Sequence, residues 1–257
     1  MPGMEPIPRV ALVTGGARRI GRALALDLAA QGWAVAVHHH ASADEARALV
    51  EAIRADGGGA VALAADLSRE DEVETLLARA ADALGPVGCL VNNASLFERD
   101  EALTATRASW DAHMETNLRA PFRLTQQLAA ALPDGAAGAV INLLDERVWS
   151  LTPHFVSYTV SKSALWTLTR TLALALAPRI RVNGIGPGPT LPSPRQSRAQ
   201  FERQCASVPL GRGTTPAEIC AAARFILAAP SMTGQMIALD GGQHLQWSPA
   251  GRAEIDE

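Results

Sequence analysis

Short apolar runs alternate along the chain with longer segments whose apolar residues recur at helical spacing. Arg9-Val-Ala-Leu-Val-Thr14 is brief, continuous and β-branched, which predicts a strand buried on both faces. The period then changes, and Ile20 to Gln31 predicts a helix. The same test predicts strands at Trp33–Val37, Ala60–Leu63, Cys89–Asn92, Ala139–Leu143, Ile180–Ile185 and Met236–Leu239. It predicts helices at Ala43–Asp56 (with Ser42 as N-cap), Glu70–Leu84, Ser109–Leu132, Val156–Ala177 and Pro216–Leu227.

Seven strands separated by helices predict an α/β fold: one Rossmann-type, doubly wound parallel sheet with helices on both faces. No repeat or linker breaks the pattern, so residues 1–257 are expected to form a single dinucleotide-binding domain. The Gly/Pro-rich stretch Gly186–Thr190 opens a polar segment, about 187–212, that reads as a loop of lid length. The polar tail after Trp247 is expected to be loose.

Composition narrows the function classes. Hydrophobic residues make up 48% and charged residues 19%, enough for a sizeable core and against disorder. The net charge of −3 offers no basic track for nucleic acid. Apolar stretches are interrupted well short of the ~20 residues a membrane span needs. The start, Met1-Pro-Gly-Met-Glu-Pro6, lacks the charged-then-apolar plan of a signal peptide. Cys89, Cys205 and Cys220 are far apart and in no metal spacing, so they are expected to be thiols of a cytoplasmic protein. A cytoplasmic enzyme acting on a small molecule fits all of this.

Thr14-Gly-Gly-Ala-Arg-Arg-Ile-Gly21 lies between the first strand and the first helix. A dinucleotide pyrophosphate meets backbone N–H groups at such a helix N-terminus, although a tight turn needs glycine anyway. The second strand ends Val37-His-His-His40, with no carboxylate for a ribose 2′-OH until Asp44. Arg18 and Arg19 stand where a 2′-phosphate could lie, or else face solvent. NADPH/NADP+ is therefore the expected cofactor. The His run could suggest a metal, but no further ligand is apparent and no metal site is expected.

Two residue types occur once each. The only Tyr is Tyr158 and the only Lys is Lys162, four positions apart on the predicted helix from Val156. That spacing puts both on one face. A free Tyr titrates at ~10, and an adjacent cation stabilises its phenolate and moves it toward the working range. A buried Tyr and an exposed Lys at chance spacing is the alternative, a rare coincidence with one of each.

Together, Thr14-Gly15…Gly21, Asn92-Asn93-Ala94, Asn117, Tyr158-x-x-x-Lys162 and Gly186-Pro187-Gly188 resemble the ordered signature of the short-chain dehydrogenase/reductases, across about residues 9–242. The resemblance implies a homotetramer. It makes Tyr158 the proton donor and Lys162 the ribose-binding cation, with Asn117 holding a water that links Lys162 to solvent. Asp66 resembles the residue that contacts adenine. Pro187 and Thr190 would approach the nicotinamide amide. With the turn and the strand ends, the expected cofactor-binding set is Gly15, Arg18, Arg19, Ile20, Gly21, His38, His40, Ser42, Asp66, Leu67, Asn93, Ala94, Ser95, Lys162, Pro187, Gly188 and Thr190.

Two departures from the family pattern narrow it. Arg19 replaces the middle glycine, and Asp145 stands 13 residues before Tyr158 where a catalytic Ser is usual. With Asn92-Asn-Ala-Ser-Leu-Phe97 and the ending Leu239-Asp-Gly-Gly-Gln-His-Leu245, these resemble the pteridine and dihydromonapterin reductases. There Asp-Tyr-Lys replaces Ser-Tyr-Lys. The residue at Phe97 stacks the pterin, the one at Ser95 bonds pterin or cofactor, and those at Arg19 and Ser42 bind the 2′-phosphate. An Arg expected before Ser42 is Ala41 here. Chemically, an ionised carboxylate repels an oxyanion, whereas a C=N bond needs a proton at nitrogen that a carboxyl beside a Tyr can supply or relay. Asp145 thus points to a dihydropterin, with a carbonyl compound such as a 3-oxoacyl thioester or small ketone as the alternative. A solvated turn Asp at 145 and a core Phe at 97 are the plainer readings.

Overall fold

A computed structural model of the chain describes residues 6–246, and the tail expected after Trp247 lies outside them. The alternating periods become β1 (Val10–Val13), α1 (Arg19–Ala30), β2 (Ala34–His39), α2 (Ala43–Ala55), β3 (Ala60–Ala64), α3 (Glu70–Leu84) and β4 (Cys89–Asn92). There follow α4 (Arg107–Met114), α5 (Ala120–Ala131), β5 (Gly138–Leu143), α6 (Val156–Ala175), β6 (Ile180–Pro187), α7 (Arg198–Ser207), α8 (Pro216–Ala228) and β7 (Met236–Leu239).

The strands form one sheet in the order β3-β2-β1-β4-β5-β6-β7, and every neighbouring pair is parallel. Side chains alternate between its faces. Ala11, Val13, Val35, Cys89 and Ile141 pack under α1, α2 and α8, while Leu12, Ala36, Leu90 and Val140 pack under α3, α5 and α6. Both faces are covered, which is why the strands read as continuous apolar runs. The chain winds outward from β1 to β3, then returns to place β4 beside β1. Ligands of open α/β sheets bind outside the carboxyl ends of the strands at such a reversal.

The structure alters three expectations. The single helix expected from Ser109 to Leu132 starts at Arg107, behind a Thr106–Ser109 capping box, and widens into a π turn at Glu115–Arg119. Pro121 lacks the N–H that would bond the Asn117 carbonyl four residues back, and its ring would crowd that carbonyl. The helix relieves this by an i→i−5 step, with Ala120 N–H donating to the Glu115 carbonyl. The polar segment 187–212 contains α7, started by a reciprocal Ser197–Gln200 cap. None of the residues of α7 is buried, so it carried no apolar period to detect. Finally, β2 runs to His39, so His38 belongs to the sheet. Among the described residues no helix is long and apolar enough to cross a membrane.

Candidate active site

The glycine turn is held from behind by the segment after β4. Thr14 Oγ1 accepts the N–H groups of Asn93 and Ala94, each at 3.0 Å, and Asn93 Nδ2 donates to the carbonyls of Thr14 at 2.9 Å and Gly15 at 3.2 Å. A Cβ on Gly21 would lie 2.2 Å from the Gly15 carbonyl oxygen, so helix and turn meet there backbone to backbone. Arg19, in the family's middle-glycine position, adopts φ +53°, a conformation glycine takes without cost. Its guanidinium donates to the carbonyls of Pro192 at 2.8 Å and Leu191 at 3.1 Å, which ties the turn to the start of the 187–212 segment.

A cleft of about 600 Å³ runs along the carboxyl ends of β1, β2, β3 and β4. Gly15, Arg18, Arg19, Ile20 and Gly21 line it from the turn. His38, His40 and Ser42 line it from the end of β2, and Asp66 and Leu67 from the end of β3. Asn93, Ala94 and Ser95 close it from β4. Arg18 is largely exposed and reaches Glu45 at 3.8 Å. Ser42 occupies the N-cap position of α2 without bonding its own helix, so its hydroxyl faces the cleft unspent on capping. Bare glycine backbone, helix N–H groups and two arginines suit an extended phosphate-bearing ligand.

The cleft continues into a smaller one, of about 230 Å³, with Tyr158, Lys162 and Asp145 on its wall. Tyr158 is 6% exposed, and its hydroxyl donates to Asp145 Oδ2 at 2.7 Å. Asp145 caps a 3-10 turn, Glu146–Val148, its Oδ1 accepting the Arg147 N–H at 2.9 Å. The Arg147 guanidinium lies 3.5 Å from Asp145 Oδ2. Lys162, one helical turn past Tyr158, is buried and donates to the Leu143 carbonyl at 2.7 Å. Burial pushes its ammonium down to about 8, against the pull of the Asp145 charge.

Asn117 lines neither cleft and stands behind both. From the π turn, its Oδ1 accepts Leu96 N–H at 2.8 Å and its Nδ2 donates to Leu96 O and Ser161 Oγ, each at 3.0 Å. Ser161 Oγ donates in turn to the Tyr158 carbonyl at 2.7 Å. The Asn117 amide therefore braces the segment after β4 against the helix of Tyr158.

Phe97 lines the smaller cleft. One face stacks on Phe155 at 4.5 Å and 10°, and its ring meets that of Tyr158 edge-on at 4.6 Å. Arg147 lies 5.5 Å from both phenylalanine rings, and Arg195, from the 187–212 segment, 5.8 Å from Phe97. Arg195 also bonds Glu98 and the Phe97 carbonyl, so the segment is latched over this wall. Pro187, Gly188 and Thr190 form the opposite side. Ser193 Oγ and Gln243 Oε1, also on the lining, are buried without a hydrogen-bond partner among the described residues.

Sequence reasoning missed several of these groups. Arg147 stood in a stretch that read as a polar loop, yet it is 7% exposed, folded over two aromatic rings. The buried set Asp100, His113 and Ser157 also gave no signal. Asp100 Oδ1 accepts the Ser157 N–H at 3.1 Å and the Asp100 carbonyl accepts the Val156 N–H at 3.3 Å, so α6 is capped by a residue far away in sequence. Behind β4, Asn92 Nδ2 donates to Asn142 Oδ1 and Asn142 Nδ2 to Thr169 Oγ1, each at 2.8 Å. A capping-box scan could have found Ser197, with Gln200 three residues on, but not Thr106, whose partner is Ser109; nothing local marks Asp100.

Residues 15–244 match the family model for enoyl-(acyl carrier protein) reductase. The 3-oxoacyl-[acyl-carrier-protein] reductase FabG of Staphylococcus epidermidis is 32% identical over 240 residues, covering 91% of this chain and 98% of that protein. The FolM alternative dihydrofolate reductase 1 of Brucella canis, solved with NADP, superposes with a TM-score of 0.92 at 48% identity, covering 96% of this chain and 99% of that one. Its counterpart from Brucella suis, also solved with NADP, gives 0.90 at 51% identity over 93% of this chain and 96% of that one.

Proposed function

The chain belongs to the short-chain dehydrogenase/reductase family, and we propose that it is an NADPH-dependent reductase that adds a hydride and a proton across the C=N bond of a dihydropterin. The observation that carries this reading is the 2.7 Å bond from the Tyr158 hydroxyl to the Asp145 carboxylate, on the wall where a Ser is usual. The Brucella FolM proteins, alternative dihydrofolate reductases solved with NADP, support it at 48% and 51% identity.

Bound NADPH supplies the hydride. The chain's own residues hold the cofactor, orient the substrate and move the proton. Gly15 and Gly21 present bare backbone to the pyrophosphate, and Ile20 its main chain at the start of α1. Ser42, with Arg18 or Arg19, receives the 2′-phosphate, and Asp66 and Leu67 border the adenine. Asn93, Ala94, Pro187, Gly188 and Thr190 flank the nicotinamide end. Phe97 offers a flat apolar wall for a ring, with Ser95 beside it. Tyr158 releases its proton to the substrate nitrogen, and the Lys162 ammonium stabilises the phenolate left behind. Asp145 aims the Tyr158 hydroxyl and shares its proton. Asn117 keeps the two walls in register.

A second reading, reduction of a carbonyl such as a 3-oxoacyl thioester, is favoured by one observation. The Arg147 guanidinium, 3.5 Å from Asp145, offsets the charge that would oppose an oxyanion. Assembly as a homotetramer is part of the proposal. Leu174 on α6 and Phe225 on α8 are apolar and exposed, and a second copy would cover them. Sedimentation would show the species.

NADPH oxidation followed with dihydrobiopterin, dihydromonapterin and a 3-oxoacyl thioester tests the substrate. Turnover of a pterin that falls at least tenfold in Asp145→Ala is expected, since a positioned acid or base typically contributes ~10²-fold or more. Turnover of carbonyls alone, surviving Asp145→Ala, would replace this reading with the second.

A further inference from the structure

The run His38-His39-His40 has no part in the proton chemistry, and the three residues differ in their surroundings. His40 is exposed, with Nε2 3.9 Å from Asp66 Oδ2. His38 is 2% exposed, near the carboxyl end of β2 and against the glycine turn. Its Nδ1 accepts the Gly15 N–H at 3.0 Å, and its Nε2 lies 3.0 Å from the Ala65 carbonyl. Only one form of the ring satisfies both contacts. Nδ1 must be bare to accept an N–H, so Nε2 carries the proton that it donates to Ala65. Both nitrogens are then spent inside the protein, and neither is left for a ligand. The His38 main chain adds a third tie, its carbonyl accepting the Gly16 N–H at 2.8 Å.

We propose that His38 is a positioning residue for the dinucleotide: it acts through the Gly15 N–H, fixing the left-handed glycine turn, and makes no contact with the 2′-phosphate. Gly15 has φ +59°, and its carbonyl takes an Asn93 N–H from the other side. Gly15 is thus gripped through its N–H by β2 and through its carbonyl by the segment after β4. This sets the direction in which the following N–H groups face the cleft. The Ala65 tie extends the brace to Asp66, the next residue and part of the same cleft. Burial, helped by the charges of His39, His40 and Arg79, pushes the imidazole down to about 4 despite the Ala65 bond, consistent with a ring kept neutral.

The inference rests on the reading of this cleft as the cofactor site. The two fail differently: a parent protein that binds neither NADPH nor NADH sinks that reading, whereas the variants below judge His38.

Asn and Gln separate the two ties. Asn places its Oδ1 where the ring has Nδ1, and Gln places its Nε2 where the ring has Nε2. Titration of the full chain with NADPH and with NADH, followed by nucleotide fluorescence, gives Kd for each. His38→Leu should raise both by the same factor, about tenfold for one lost hydrogen bond, and leave their ratio unchanged. His38→Asn should restore affinity and His38→Gln should not. The Gly15 amide of the cofactor-free protein should exchange with solvent faster in His38→Gln than in the parent or in His38→Asn. If His38→Leu does not fold, the Asn and Gln pair decides alone. A rise confined to NADPH would mean that His38 meets the 2′-phosphate, and would overturn the proposal. So would unchanged Kd values for the variants, or rescue by Gln rather than Asn.

Discussion

Lys162 sits inside the protein with its ammonium on the Leu143 carbonyl, and burial brings it down from 10.5 to about 8. Between pH 8 and 10.5 the unfolded chain carries a proton here that the folded chain does not, so stability rises with pH across that window. Below it the charged form is buried at a cost of about 3 kcal/mol. In the proposed mechanism that cost is offset by the ammonium's stabilisation of the Tyr158 phenolate. Two outcomes follow. A profile of kcat/KM should fall as pH rises through about 8, where Lys162 loses its charge. Lys162→Met, similar in shape and neutral, should abolish turnover yet melt no lower than the parent at pH 7 in calorimetry. Tyr158, Lys162 and Asp145 were legible as letters, because rarity and spacing are properties of the chain. Arg147 was not. Its neighbours Asp145 and Glu146 made the segment read as solvated, and the rings that bury it belong to Phe97 and Phe155.

At the level of elements, α6 shows how a local rule can be met from a distance. Phe155 precedes it in a left-handed conformation, φ +56°, with no side-chain cap of its own. Asp100 supplies the cap, and its carboxylate also accepts the hydroxyls of Ser157 and Ser109. Burial raises this carboxyl, but those hydrogen bonds outweigh it and hold the group below its usual range. Asp100→Ala should cost about 1–2 kcal/mol, the range of a lost N-cap, read as a lower urea midpoint. It should also slow turnover more than it weakens NADPH binding, because the loop of Phe97 and the helix of Tyr158 lose their link. Strands and amphipathic helices were predicted within a few residues, since their periods are local. The π turn and α7 were not. Pro121 acts on a carbonyl four residues back, and α7 buries none of its residues.

For the whole molecule, the doubly wound parallel sheet followed from the alternation of periods, whereas the order of its strands is read from the structure. What the pattern could not give is which side chains meet at the reversal between β1 and β4. His38 is an instance: its place in a His run suggested a ligand contact, and the fold turns both of its ring nitrogens onto main-chain groups, of Gly15 and Ala65. It also ties cofactor binding to acid stability. Lowered to about 4 from 6.5, His38 binds its proton in the unfolded chain first. Protonating it in the fold therefore costs on the order of 3 kcal/mol, so stability is undiminished above 6.5 and falls as pH drops toward 4. Unfolding midpoints in urea should drop across that window, less steeply in His38→Asn. The groups facing the ring, His39, His40 and Arg79, all oppose its protonation, so they sharpen the effect.

We propose that the Asp145–Tyr158 pair, on a Phe97 wall, selects a C=N bond over a C=O bond. Steady-state kcat/KM for a dihydropterin and for a 3-oxoacyl thioester, measured with NADPH on the parent and on Asp145→Ser, tests it most directly. The parent should prefer the pterin, and Asp145→Ser should lose pterin turnover while gaining on the thioester. A parent that prefers the thioester, or an Asp145→Ser variant that keeps its pterin preference, would contradict it.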